Sequence, residues 1–153
     1  MARLKNALRG HFIAPFDPLK PTTQPEKDEL LELAKYISSI GDDTDEETDD
    51  TPFYDGDGSK NMEVTSVSGA YSPEGFFDEE DPAQALIAGM KYKIGDDRKV
   101  WHKVVSSDGK KQWMGVATVT DIIAGAGDAG EYEDFSCTIT YNKIPEETAV
   151  TPK

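Results

Sequence analysis

Residues Val100–Ala117 read VWHKVVSSDGKKQWMGVA, and this stretch predicts a β-hairpin. Asp108-Gly109 has the residue types of a two-residue type I′ turn, in which both central residues adopt positive φ. The turn sets a register that pairs four large apolar side chains, two on each face of the hairpin: Val104 with Trp113, and Trp101 with Val116. We therefore expect one face to cover the core and the other to be buried by another element or subunit.

The residues after the hairpin continue the β pattern. Val116–Ile123 extends the second strand, and Tyr132–Tyr141 alternates apolar and polar residues as a half-buried strand does. Between them, Gly125–Gly130 (GAGDAG) matches G-x-G-x-x-G. A dinucleotide loop of that pattern must lead into a helix, whereas this one leads into a strand. We expect a flexible connection between two strands.

The segment before the hairpin predicts one helix, Asp81–Lys93. Asp81 is the expected N-cap, Pro82 stands at the first helical position, and Gln84 completes a capping box. Lys91 and Lys93 suit the negative end of the helix dipole, and Gly95 ends the helix. Upstream, Met62–Tyr71 has strand character with a bulge at Gly69. Leu30–Ile40 fits either a helix or a strand.

The two ends of the chain predict extended structure. Residues 1–28 carry four prolines, which forbid a helix, and three apolar side chains that need cover from the same domain or a neighbour: Phe12, Ile13 and Phe16. From Pro145 onward the chain is polar, and we expect a loose tail. The whole chain thus predicts a mainly β, antiparallel domain with one helix packed on it.

Most of the excess charge lies in one segment. The 153 residues hold 30 acids and 16 bases, a net charge of −14. Nine acids fall within sixteen residues: Asp42, Asp43, Asp45, Glu46, Glu47, Asp49, Asp50, Asp55 and Asp57. Like charges at this density repel one another, so we expect an extended, solvated loop. Such acidity also argues against binding nucleic acid through its phosphates.

No pattern of residues specifies an active site. The single cysteine, Cys137, excludes an intramolecular disulfide and a multi-cysteine zinc site, and its strand position predicts a buried thiol. His102, beside Trp101, is expected to be a packed or interface residue rather than a catalytic base. The acidic segment attracts hard cations such as Ca²⁺, but placing Gly56 or Gly58 at the sixth position of an EF-hand loop puts Thr51 or Phe53 at the first. We expect no catalytic residue, cofactor or metal site, and no stretch approaches the roughly 18 apolar residues of a membrane span.

Four segments, in order along the chain, resemble the major tail tube proteins of long-tailed, noncontractile bacteriophages and related prophages. They are DDTDEETDDTPFYDGDG (residues 42–58), VTSV (64–67), DPAQALIAGMKY (81–92) and KVWHKVVSS (99–107). The resemblance runs from about Leu8 to Pro145. Its most specific element is the acidic run that ends in Tyr54-Asp55-Gly56-Asp57-Gly58.

The resemblance implies an antiparallel β-sandwich or barrel with a flanking helix, the tail tube fold. It implies hexameric rings that stack into a hollow tube around a tape measure protein, bounded by tail terminator and distal tail proteins. DNA would pass to the host without specific binding, in a virion assembled in the bacterial cytoplasm, with no membrane insertion. The chain would divide into an N-terminal arm (1–28), a tube domain (29–145) and a flexible tail (146–153).

The resemblance also implies roles for particular residues. The loop at 41–61 would order when rings stack, through its acidic, aromatic and glycine residues: Asp42, Asp43, Asp45, Glu46, Glu47, Asp49, Asp50, Phe53, Tyr54, Asp55, Gly56, Asp57 and Gly58. The arm would bridge subunits through Phe12, Ile13 and Phe16.

Two other functions remain open at this point. A monomeric acidic binding module, such as a DNA mimic that blocks a nucleic-acid-binding protein, would use phosphate-like charge spacing, although its charge should spread over a folded face. A small β-fold hydrolase would need two paired carboxylates, and no pair stands out among the 30 acids.

Overall fold

A computed structural model describes residues 3–52, 54, 56–60 and 62–149. In chain order its strands are β1 (Gly10–Pro15), β2 (Leu31–Glu32), β3 (Ile37–Asp42), β4 (Asp45–Asp49), β5 (Glu63–Ser68), β6 (Ala70–Phe76), β7 (Lys99–Val105), β8 (Lys111–Ala124), β9 (Asp134–Tyr141) and β10 (Glu146–Ala149). The helix α1 (Pro82–Ala88) lies between β6 and β7, and 3₁₀ turns occupy Asn6–Leu8, Lys27–Glu29 and Gly95–Arg98.

Eight strands form one curled antiparallel sheet, and α1 packs against one face of it. The strand order is β2-β1-β7-β8-β9-β6-β3, and β10 pairs with the first part of β8. The core lies between α1 and the sheet, where Ala83 and Ile87 of the helix meet Ile13, Val100 and Phe135. The remaining strands, β4 and β5, form a separate two-stranded sheet. The predicted fold, a mainly β antiparallel domain with one flanking helix, is confirmed.

The hairpin β7–β8 has the predicted register, although its turn differs. Val104 pairs with Trp113, and Trp101 pairs with Val116. Only Gly109 of the two turn residues has positive φ (73°), and its N–H donates to the Ser106 carbonyl, so the connection is not type I′. The register survives because the Ser106 N–H donates to the Lys111 carbonyl and closes the loop symmetrically about Asp108-Gly109.

The outer face of this hairpin is covered in part by the chain's own N-terminal segment. Trp101 is 7% exposed, and the ring of Phe16, just after β1, lies 6.3 Å from it between centroids. Ala14 of β1, on the same face, is fully buried. The residues predicted as an arm thus include a strand, β1, that pairs with both β7 and β2.

The helix begins where predicted and ends earlier. The Gln84 N–H donates to Asp81 Oδ2 (3.3 Å) and Pro82 is the first helical residue, so the N-cap is confirmed. The last helical residue is Ala88 rather than Lys93. The Arg98 guanidinium explains the early end, because it donates to the carbonyls of Lys91 and Lys93 and so holds that segment outside the helix.

The Gln84 side chain ties three elements together instead of completing the capping box. Its Oε1 accepts from the Asp78 N–H (2.7 Å), and its Nε2 donates to the carbonyls of Lys35 and Phe76, both at 3.0 Å. The residue is fully buried, so these bonds satisfy backbone groups that would otherwise lack partners. They fix α1 against the start of β3 and the end of β6.

Three other segments can be compared with their predicted structure. Leu30–Ile40 contains β2 and the first part of β3, and between them Tyr36 has a positive φ of 60°. Gly125–Gly130 joins β8 to β9, which confirms a strand connection. Residues 146–149 of the predicted loose tail form β10, although all four are exposed. No helix among the described residues has the length and hydropathy needed to cross a membrane.

Candidate assembly interface

The strands β4 and β5 form a ribbon that projects from the main sheet, and we call residues 45–49 with 63–68 the acidic ribbon. It continues the β3–β6 pair, whose last pairing joins Asp42 to Tyr71. At the junction the Asp43 N–H donates to the Ala70 carbonyl (2.9 Å). Every residue of both ribbon strands is exposed.

The strand β4 is a correction to the predicted loop. Sequence reasoning took repulsion among the acids as decisive, but repulsion does not prevent pairing with a strand that is nearly free of acids. The cross-strand partners of Asp45, Glu46 and Glu47 are Ser68, Val67 and Ser66. Only Asp49 faces another acid, Glu63. Opposed like charges destabilise a sheet, and this register largely avoids them.

Short aspartate motifs fix both ends of β4. Asp42 Oδ1 accepts from the Thr44 N–H (3.0 Å) and from its hydroxyl (2.5 Å). Asp49 Oδ1 makes the same pair of bonds with Thr51, at 3.0 and 2.6 Å. Both sets of hydrogen bonds, the hydroxyl bond foremost, hold the pKa of the aspartate below its ordinary value. These two carboxylates therefore stay ionised while they shape the chain.

A bulge gives the acidic ribbon two different faces. Glu47 pairs with Ser66 and Thr48 pairs with Val64, so Thr65 is the extra residue. Because Glu46 and Thr48 share a face of β4, their partners Val67 and Val64 also share that face. The opposite face carries three acids of β4 and one of β5: Asp45, Glu47, Asp49 and Glu63. The face with the two valines, which we call the apolar face, also carries Glu46 and Thr48, and the other face is anionic.

The predicted stacking residues lie along this ribbon and beyond it. Asp42 ends β3, Asp43 lies in the junction, Asp50 is 3.8 Å from Lys60, and the Tyr54 side chain is fully exposed. Gly56, Asp57 and Gly58 form a turn in which hydrogen bonds from Ser59, the backbone bond foremost, lower the pKa of Asp57. Phe53 and Asp55 lie outside the described residues. Among the described residues, no group of three or more His, Cys, Asp or Glu side chains is placed to hold a metal ion.

A cavity of about 250 Å³ opens at the base of the ribbon, and sequence reasoning missed it. Its wall combines Val67 of the ribbon with aromatic and apolar residues from the main sheet and the chain after β9: Tyr71, Trp113, Tyr141, Ile144 and Pro145. Arg9 and Thr44 also line it. Val67 therefore joins the apolar face of the ribbon to this cavity in one continuous surface.

Beneath the cavity lies a buried cluster of histidine and tyrosine rings. His102 Nδ1 is 2.5 Å from the Tyr141 hydroxyl, and the His11 ring packs edge-on against Tyr71 at 5.1 Å between centroids. Burial lowers the pKa of His102 to about 3, and burial with the nearby Arg9 charge lowers that of His11 to about 4. Both rings are neutral near pH 7, and His102, which is 1% exposed, is a packed residue, as predicted.

The other predicted positions lie in the core or against it. Cys137 is buried, as predicted, and burial raises the pKa of its thiol to about 12. Ile13 has no exposed surface and belongs to the core of its own domain. Phe12 and Phe16 are half-buried, and a lysine nitrogen lies within 6 Å of each ring centre. Of the three predicted arm residues, only these two keep part of the side chain exposed.

Two solved structures share this fold. One is a chain from the tail of an empty gene transfer agent (GTA) particle, obtained by helical refinement with C6 symmetry. Its TM-score is 0.71 at 14% identity, over 97% of this chain and all of that chain. The other, from the virion of a native gene transfer agent particle, has a TM-score of 0.62 at 17% identity, over 83% of this chain and all of that one. Identity this low shows a common fold and no more. No protein-family model and no curated protein matches the chain.

Proposed function

We propose that this chain is a structural subunit of a phage-like tail, and that it acts by assembling with copies of itself. In the proposed assembly six copies form a ring, and rings stack into a hollow tube around a tape measure protein. Terminator and distal tail proteins bound the tube, and DNA passes through it to the host. The tube is assembled in the bacterial cytoplasm and becomes part of the virion, without inserting into a membrane.

The main support is the extent of the structural likeness. The tail chain refined with C6 symmetry is covered over its whole length, and the match takes in 97% of this chain. A match confined to the sheet would fit many β proteins, whereas this one includes the projecting ribbon and the peripheral strands. Six-fold symmetry in that particle makes a ring of six the natural proposal here.

The charge distribution supports a mechanism for controlled assembly. The acids of the ribbon repel the same surface on another subunit, and of the four ion pairs among the described residues only Asp50–Lys60 touches this region. Bases on the next ring would neutralise these carboxylates when rings dock. An acidic surface toward the lumen would repel phosphate, so that DNA slides rather than binds.

Electron microscopy and sedimentation of the purified protein over a wide concentration range test this proposal. We expect tubes with a central channel above a threshold concentration, and faster assembly as salt rises from about 0.05 to 0.5 M because screening weakens the repulsion. A monomer at every concentration would contradict the proposal and favour the acidic binding module. Assembly that is insensitive to salt would remove repulsion from the mechanism.

A further inference from the structure

Two exposed surfaces among the described residues complement each other, since one is basic and apolar and the other joins an apolar face to a group of acids. We propose that the N-terminal segment Arg3–Arg9 of one copy docks on the apolar face of the acidic ribbon of a second copy. Leu4 and Leu8 would pack on Val64 and Val67 and enter the cavity at the ribbon's base. This inference rests on the proposed self-assembly and names the residues that carry one of its contacts.

The N-terminal segment is basic and apolar, and it is exposed. Arg3, Lys5 and Arg9 are its charged residues, and the first acid in the chain is Asp17. Leu4 and Leu8 are 50% and 60% exposed, and the 3₁₀ turn Asn6–Leu8 buries no residue. None of the four ion pairs among the described residues involves these three bases. The segment thus presents two apolar side chains and the charges of Arg3 and Lys5 to a partner, while Arg9 lines the cavity of its own subunit.

The acidic ribbon offers the matching surface. Val64 and Val67 are 55% and 42% exposed on a face that the bulge at Thr65 creates, and Glu46 lies on that same face, directly opposite Val67. The apolar surface continues into the cavity past Trp113 and the 76% exposed Ile144. Acids on the ribbon's edges and opposite face surround these valines with negative potential, which favours a cationic apolar segment over an acidic one.

A second copy fits this contact better than the chain's own segment. Arg9 lines the cavity of its own subunit, but Leu4 and Leu8 do not, and both remain exposed. Docking between copies joins two different surfaces, the segment of one and the ribbon of the next. Such head-to-tail contacts repeat from copy to copy and build closed rings or open stacks.

Charge reversal with a matched control tests the contact. The variant Arg3→Glu/Lys5→Glu/Arg9→Glu should raise the concentration needed for assembly about tenfold or more, because attraction between the segment and the acids of the ribbon becomes repulsion. Lys20→Glu/Lys93→Glu/Lys110→Glu changes the net charge equally at exposed sites elsewhere and should have a much smaller effect. Equal effects of the two triple variants would overturn the docking while leaving self-assembly intact. Failure of the unmodified chain to assemble would instead refute the proposed function.

A charge swap sharpens the same test. Adding Asp45→Lys/Glu46→Lys/Glu47→Lys to the segment variant exchanges the two signs, and assembly should return to within a few-fold of the unmodified chain. Continued loss of assembly in the sixfold variant, with each triple variant still folded by circular dichroism, would overturn the pairing of these two surfaces.

Disulfide trapping reports the contact without requiring tubes. Leu4→Cys and Val64→Cys are made in separate chains with tags of different size and mixed under mild oxidation; Cys137 is buried and should stay unreacted. We expect a mixed dimer well above the yield from Leu4→Cys mixed with the control variant Thr120→Cys, whose altered position is exposed on β8. The absence of a mixed dimer would overturn docking between copies. So would a double variant, Leu4→Cys/Val64→Cys, that forms its disulfide only within one chain.

Discussion

Two antiparallel strand pairs in this molecule have similar backbones and opposite surroundings. In β7–β8, Val100, His102 and Val104 are buried on one face and Trp101 on the other. In β4–β5, no side chain is buried at all. An isolated two-stranded ribbon is marginally stable in water, because backbone pairing alone hardly offsets the entropy of ordering the chain.

This difference distinguishes the main sheet, which holds the domain together, from the acidic ribbon, whose surface is available to a partner. The main sheet is stabilised by apolar burial against α1 and within its own curl. The ribbon is held at its base, by the β3–β6 pairing and the Asp42–Thr44 hydrogen bonds. Changes in the first region should therefore alter stability, and changes in the second should alter assembly.

Acid should produce the largest loss of stability, through the histidines of the main sheet. His11 and His102 have folded pKa values of about 4 and 3, below the unfolded value of 6.5, so between these limits the unfolded chain binds more protons. Stability is thus fully present above about pH 6.5 and falls as the pH drops toward 4. The loss between pH 7 and 4.5 should be on the order of 5 kcal/mol in all.

Denaturant unfolding at a series of pH values measures this loss. The variant His11→Leu/His102→Leu should have a much flatter profile between pH 4.5 and 6.5, whatever its absolute stability. An unchanged slope in that variant would mean that other groups, such as the acids of the ribbon, control the acid response.

Truncation of a core side chain should lower the free energy of unfolding somewhat less than acid does. Truncation of a ribbon side chain should hardly change it. Phe135 is 1% exposed and stacks on Phe77, so Phe135→Ala should lower the free energy of unfolding by about 3 to 5 kcal/mol. Val67→Ala, on the exposed ribbon, should change it by less than about 0.5 kcal/mol. Thermal or denaturant unfolding of the two variants gives the comparison. A loss of more than about 1.5 kcal/mol for Val67→Ala would show that the ribbon is part of the cooperative unit.

Removal of the acidic ribbon should have a small effect on stability and a complete effect on assembly. A chain in which residues 45–67 are replaced by a short Gly-Ser turn keeps β3, β6 and the core, so its free energy of unfolding should change by less than about 1 kcal/mol. Tubes should no longer form, which electron microscopy checks directly. Unimpaired tubes from this folded variant would exclude the ribbon from stacking.

Features governed by neighbouring residues were predictable from the sequence. The register of β7–β8, the alternation of β9 and the Asp81 N-cap each depend on residues within one turn or one strand. The missed features depend on distant partners. The end of α1 depends on Arg98, and the strand β4 depends on a partner some twenty residues away that carries little charge.

The candidate site divides in the same way. Its negative charge was evident from the acids at 42–57. The need of Phe12, Ile13 and Phe16 for cover was also evident, but not that Ile13 finds its cover in the core of its own domain. The two faces of the ribbon could not be predicted from the sequence, because Val64 and Val67 are three residues apart and would lie on opposite faces of a regular strand. The cavity could not be predicted either, because it brings Trp113, Tyr141 and Ile144 together from separate segments.

By itself, then, the sequence determined where the charge lies, which residues alternate and where the best hairpin turns, since turn chemistry and side-chain periodicity act over a few residues. Only the tertiary structure decided that the acids form a strand, that one bulge turns two valines to the same side and that a cavity opens beneath them. Those outcomes depend on long-range pairing, whose register is selected by the packing of the whole sheet rather than by any local segment.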